Sequence, residues 1–318
     1  DKMKLLKVIT LSLSLLWATA HAQNLSIATG GTGGVYYPMG GGLASVLSKH
    51  VPGMSATAEV TGGSVDNLKL IGTGKPYVGF SMADAAKDAT SGVDKFKDKP
   101  IEVRTLLILY PNLMHVATVE STGIKTMADL KGKRVSTGSP GSATEVMAFR
   151  LLEAAGIDPT KDIKRERLSV AESVNAVKDR KIDAFFWVGG LPTAAVTDLA
   201  NSPGMKIVMV DTAAEVPAMN KKYGNLYFPS LITKQTYSGM AKDNNVAAVA
   251  NLLVVNASMS DDEAYKIVKA VFDNQLELVR SHAEYRNVKL ETQKANATPV
   301  PYHPGALKYF KEKGVKVN

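Results

Sequence analysis

The stretch Ala28-Thr29-Gly30-Gly31-Thr32-Gly33-Gly34-Val35-Tyr36-Tyr37-Pro38 decides how this chain is read. Four glycines fall within five positions, directly after Leu25 to Ala28, an apolar run that reads as a short buried strand. Beyond them Met39, Leu43, Val46 and Leu47 recur at helical spacing. The glycines therefore form the turn between a strand and a helix running from about Tyr36 to His50. Such a turn lets the backbone approach a ligand with no Cβ in the way. It also aims the helix's unpaired first-turn N–H groups at whatever occupies the turn, commonly an anion. A tight strand–helix connection that binds nothing carries the same signature.

Working outward, the unit recurs. Ala56 to Val60 reads as a strand, Thr61-Gly62-Gly63-Ser64 as a turn, and Val65, Leu68 and Ile71 as a helix face, with Ser64 a candidate N-cap. Tyr77 to Phe80 then gives a strand, and Ser81-Met82-Ala83-Asp84 opens a third helix. Successive strand–turn–helix units predict an open, mostly parallel α/β sheet. Ligands of such sheets bind outside the carboxyl ends of the strands, where these turns lie.

Two long extended runs follow, Arg104 to Val119 (broken at Pro111-Asn112) and Asn245 to Val255. They read as an outward and a return crossing between two domains. Between them the alternation repeats. A strand ends in Ser136-Thr137-Gly138-Ser139-Pro140-Gly141-Ser142-Ala143-Thr144, with a helix through Val146, Phe149, Leu152 and Ala155 after it. Ala171, Val174 and Val177 mark another helix, Ile182 to Trp187 a strand, and Met205 to Val210 a further one. Gly189-Gly190-Leu191-Pro192 starts a helix with Pro in its first turn. After the return crossing, Ser260-Asp261-Asp262-Glu263 caps a helix expected to reach Ser281, and Pro304 to Lys313 forms the last. The organisation expected is a first domain of residues 23–112 and 251–318, and a second of 113–250.

Residues 1–22 stand apart. Asp1 and Lys2 precede an apparent start methionine; Lys4 and Lys7, the apolar Val8 to Ala18, and Ala20-His21-Ala22 then read as a secretory signal, cleaved after Ala22. The expected location is the periplasm. Residues 1–7 carry two of the eight net positive charges, which leaves about +6 spread over the remainder. No basic stripe interleaved with aromatics appears, so nucleic acid is not an expected partner. The absence of cysteine excludes thiol catalysis and thiolate metal sites.

Catalytic motifs fail one by one. Tyr36 stands where a dinucleotide fingerprint needs its third glycine, and Lys69 and Pro76 break a phosphate-loop reading of Gly74-Lys75. Thr137 breaks a nucleophile elbow at Ser139. His50, His115, His282 and His303 are isolated and read as packing or surface residues, without metal-ligand spacing. No enzyme constellation, metal or cofactor is expected. What the turns offer is neutral: Thr29, Thr32, Tyr36, Ser64, Asn67, Ser81, Ser139, Ser142 and Thr144, with Met82 and Trp187 as walls. Phe185 and Phe186 read as core through strand alternation.

Four segments, Gly30 to Pro38, Thr61 to Asn67, Gly138 to Glu145 and Phe185 to Pro192, together resemble the TAXI-type substrate-binding proteins of TRAP transporters. The resemblance spans essentially the whole chain after residue 22, in the family's order. It implies a type II-like two-domain periplasmic binding protein that closes on a small organic anion, such as 2-oxoglutarate, glutamate or a related dicarboxylate. It also implies a monomer that hands this ligand to TRAP membrane subunits. Thr32, Tyr36, Ser64, Asn67 and Ser81 would contact the ligand from one side, and Ser139, Ser142, Thr144 and Trp187 from the other. Ala143 departs from the family's usual glycine. Two other classes share such a cleft: an exported enzyme with Glu145 as its base, and a ligand-binding subunit of a sensor.

Overall fold

The computed structural model describes residues 23–318; the signal expected over residues 1–22 lies outside them. The first half alternates as its apolar spacing dictates: β1 Gln23–Ala28, α1 Tyr36–His50, β2 Met54–Glu59, α2 Ser64–Gly72, β3 Tyr77–Met82 and α3 Ala83–Ser91. β4 Val103–Val119 then crosses to a second half of β5 Arg134–Ser136, α4 Ala143–Ala154, β6 Lys164–Glu166, α5 Val170–Lys178, β7 Ala184–Gly189, α6 Ala194–Ala200, β8 Ile207–Met209, α7 Val216–Tyr223 and β9 Tyr227–Ile232. β10 Asn244–Asn256 returns, and α8 Asp261–Asp273, α9 Gln275–Val279 and α10 Pro304–Glu312 complete the chain.

The strands join in the order β2-β1-β3-β10-β4-β7-β5-β6, with β8 on β4 and β9 on β10. The sheet is mixed. The strands feeding the turns are parallel, β1 with β2 and β3, and β5 with β6 and β7. The two crossing strands pair antiparallel with their neighbours and with each other. Both change partners midway: β4 leaves β10 for β7 at Leu113, and β10 leaves β9 for β3 between Val249 and Asn251. Helices cover the faces, so one apolar cluster runs beneath both halves while a second lies wholly within residues 113–248.

Several boundaries differ from expectation. β4 is unbroken, because Pro111, which lacks an N–H, sits beside a bulge where β4 carries one extra residue against β10. Ser64 is the first helical residue of α2 and not its cap; Gly63, at φ +124°, takes the cap position, a conformation that side chains rarely adopt. Ser81 belongs to β3, and α3 begins only at Ala83. Pro192, after a cis peptide bond, precedes Thr193, the N-cap of α6. The helix from Ser260 stops at Asp273, since Asn274 leaves the helical conformation (ψ 29°) before α9 begins. β6, β9 and α7 are short segments whose residues carry no clear period.

Candidate functional site

Each turn at the sheet's centre is built around groups that hold it open. Thr29 is buried and its hydroxyl donates to the carbonyl of Glu59 at 2.6 Å, tying the end of β1 to β2. Gly34 sits where a Cβ would stand 2.7 Å from the Trp187 ring, so only glycine admits that indole. The caps Val35 of α1 and Gly63 of α2 supply no side-chain oxygen, so the N–H groups of Tyr36, Tyr37, Ser64 and Val65 are left for whatever fills the turns, while that of Asp66 is taken by Gly141. Across from them Ser142 caps α4 by accepting from the Glu145 N–H at 3.2 Å. Ser169 caps α5 in a reciprocal pair with Glu172.

These turns line a small cavity between them, with room for a few water molecules as it stands. Its wall holds Tyr36, Ser64, Ser139, Ser142, Thr144 and Trp187 of the residues expected from sequence, and Met82 beside them. No lining side chain is charged. The Tyr36 ring stacks on Phe80 with centroids 5.2 Å apart, and its hydroxyl donates to Asn251 Oδ1 on β10, so it presents its ring to the cavity. Burial pushes that phenol far above its ordinary range and keeps it protonated. The Trp187 indole N–H donates to Thr193 Oγ1 at 2.9 Å, fixing the ring as a wall.

Three expected residues stand elsewhere. Asn67 is fully buried; its amide donates to the carbonyls of Ala28, Thr29 and Phe80 and its oxygen accepts from Thr61. It fastens α2 to the strand ends, and both of its amide protons are spent on backbone carbonyls. Ser81 is buried within β3 and donates to the Met82 carbonyl at 2.9 Å. Thr32 is exposed outside the cavity wall. Leu168, Ser169, Val170, Phe186 and Val188 line the cavity without having been anticipated. The spacing Ser169-x-x-Glu172 before the apolar Val174 and Val177 was the available signal for the first three.

The two sides meet around this cavity through one side-chain and two backbone hydrogen bonds. Ser139 Oγ donates to the Gly62 carbonyl at 2.9 Å, the Asp66 N–H to Gly141 O at 3.0 Å, and the Ala195 N–H to Gly33 O at 3.1 Å. Gly141 has φ +77°, and a Cβ there would stand 2.2 Å from the Asp66 carboxylate. Glu145, the base an enzyme would need, lies outside the cavity wall and accepts two hydrogen bonds from Arg167 at 2.7 and 2.9 Å. The four histidines each hydrogen-bond a neighbouring group, His115 bridging the Leu113 carbonyl and the Tyr237 hydroxyl.

The sequence model of the NMT1-like family matches residues 27–314. The chain belongs to the NMT1-like family. Among solved structures, one described as a periplasmic transporter is similar over 93% of this chain and 98% of its own, at 13% identity and a TM-score of 0.52. A Bordetella bronchiseptica protein covers 91% of this chain and 89% of its own at 19% identity and a TM-score of 0.51. The binding protein component of a phosphonate ABC transporter from Pseudomonas aeruginosa covers 83% and 79%, at 13% identity and a TM-score of 0.51. At these identities the likeness is one of fold, that of periplasmic binding proteins. In this NMT1-like chain, among the described residues, no helix is long and apolar enough to cross a membrane.

Proposed function

We propose that this chain is an extracytoplasmic receptor that captures a small organic anion in the cavity between its glycine turns and delivers it to a transporter. The observation that carries this reading is a cavity walled by helix N-termini, hydroxyls and aromatic rings with no charged side chain. First-turn N–H groups and hydroxyls stabilise carboxylate oxygens without a guanidinium clamp. Tyr36, Ser64, Ser142, Thr144 and Trp187 are the residues of the site, and Ser139 closes over it. Residues 23–112 with 251–318 form one domain and 113–250 the other, pivoting where β4 and β10 change partners. Ligand favours the closed state by touching both sides at once.

The four motifs quoted above support a TRAP permease as the partner, and the leader-like segment supports a periplasmic location with Gln23 as the first mature residue. The structural neighbour of the phosphonate system belongs to an ABC transporter, so membrane subunits of each class, reconstituted with the receptor, decide the partner. The ligand class is tested by thermal unfolding with C4 to C6 dicarboxylates and amino acids. A ligand at a hundred times its Kd adds about 2.7 kcal/mol of stability, a readily measured rise in Tm. No rise with any of them refutes the proposed class.

A further inference from the structure

Building on the receptor reading just given, we infer that the cavity selects organic acids lacking an ammonium group over amino acids of the same carbon skeleton. The wall has donors to offer and few acceptors. Ser64 Oγ accepts from the Met82 N–H at 3.1 Å, Thr144 Oγ1 from the Val188 N–H at 3.4 Å, and Ser169 Oγ from the Glu172 N–H at 3.2 Å. The Thr144 and Ser169 hydroxyls, oriented by the N–H each accepts, keep their own protons, and that of Ser64 lies within hydrogen-bond reach of the Tyr36 oxygen.

Four carbonyls at the same wall each already take a hydrogen bond. The Gly31 carbonyl takes the Gly34 N–H, Gly62 the Ser139 hydroxyl, Gly63 the Asn67 N–H, and Ser139 both the N–H and the hydroxyl of Ser142. No carboxylate lines the cavity; Asp66, nearest in sequence to the second turn, receives the Gly62 N–H at 3.0 Å from outside it. A carboxylate or oxo oxygen entering this space meets free O–H and N–H groups. An ammonium entering with it meets those same donors and loses its water. The faces of Tyr36, Phe186 and Trp187 and the lone pairs left on neutral oxygens are its attraction, which does not offset the desolvation of a charge without a counter-ion.

The experiment is calorimetric titration with matched pairs: oxaloacetate and aspartate, 2-oxoglutarate and glutamate, 2-oxoadipate and 2-aminoadipate. The expected result is that the oxo acid of the best pair binds at least tenfold more tightly than its amino acid. An amino acid that binds as well as or better than its oxo partner overturns the selectivity while leaving the receptor reading intact. Failure of all six to bind at millimolar concentration overturns the receptor reading for this ligand class and the selectivity with it. A Thr144→Val variant adds an independent reading: losing one donor weakens the oxo acid severalfold, and unchanged affinity contradicts the donor assignment.

Discussion

Ser142 shows how much a single side chain does at these turns. Its hydroxyl accepts the Glu145 N–H at the start of α4 and donates to the Ser139 carbonyl at 2.7 Å, so it caps the helix and holds the turn shut. Replacing Ser142 by Ala removes a cap worth about 1 kcal/mol and loosens the wall. The expected outcome is a lower Tm together with weaker ligand binding. Gly141 is the sharper test at this scale. Alanine there must adopt φ +77° and place its Cβ within the Asp66 carboxylate, a strain of about 1–3 kcal/mol. Gly141→Ala should weaken ligand binding at least tenfold by calorimetry, because the strain falls on the meeting of the two sides. Six of the nine residues expected from sequence do line the cavity, because the turns that carry them converge at the strand ends. Asn67 misled because its amide satisfies three carbonyls of the strand ends, partners that no local spacing reveals. Phe186 and Val188 were hidden by the sheet: Phe185 and Phe186 are both buried, but only Phe186 reaches the cavity wall.

Between elements, a buried polar join links α3, α4 and β9. Arg150 is buried and donates to Asp88 at 2.6 Å and to the Tyr227 hydroxyl at 3.0 Å, which in turn donates to Asp84 at 2.7 Å. Two buried carboxylates thus lean on one guanidinium, with the more exposed Asp94 at 3.4 Å. Removing the cation leaves both without compensation, so Arg150→Met should cost about 3–5 kcal/mol of stability, measured by denaturant unfolding. Burial pushes Asp88 up to about 6 despite Arg150, above the value near 3.9 of an unfolded aspartate. The folded chain therefore holds the extra proton between those values, and stability from this group falls as pH rises from about 4 through about 6. His115 acts in the opposite sense: burial lowers it to about 4, so its contribution falls as pH drops from about 6.5 toward 4. Comparison with Asp88→Asn isolates the first effect. The Tm of the wild type should decline relative to that variant across pH 4 to 6, and parallel curves would contradict the assignment. None of this join was legible in the sequence, since Arg150 lies 56 or more residues from each of its partners.

At the scale of the whole molecule, the alternation of strands and helices and the two crossings were legible because β4 and β10 are long apolar runs that no single-lobed sheet needs. Their antiparallel pairing was not, because strand direction is set by the connections and not by residue period. The two crossings make closure a whole-molecule property. Trp187 is the only tryptophan in residues 23–318 and stands against Gly34 of the opposite side, so its fluorescence should shift on ligand addition as that contact forms. A radius of gyration that falls when ligand is added, by solution scattering, is the matching expectation for the pivot. The most direct measurement is titration calorimetry of residues 23–318 with the C4 to C6 acids, wild type beside a Ser64→Ala, Thr144→Val double variant. Saturable one-to-one binding by the wild type, weakened at least tenfold in the variant, is the predicted result. Binding of the same acids with unchanged affinity in a folded double variant would contradict the placement of the site in this cavity.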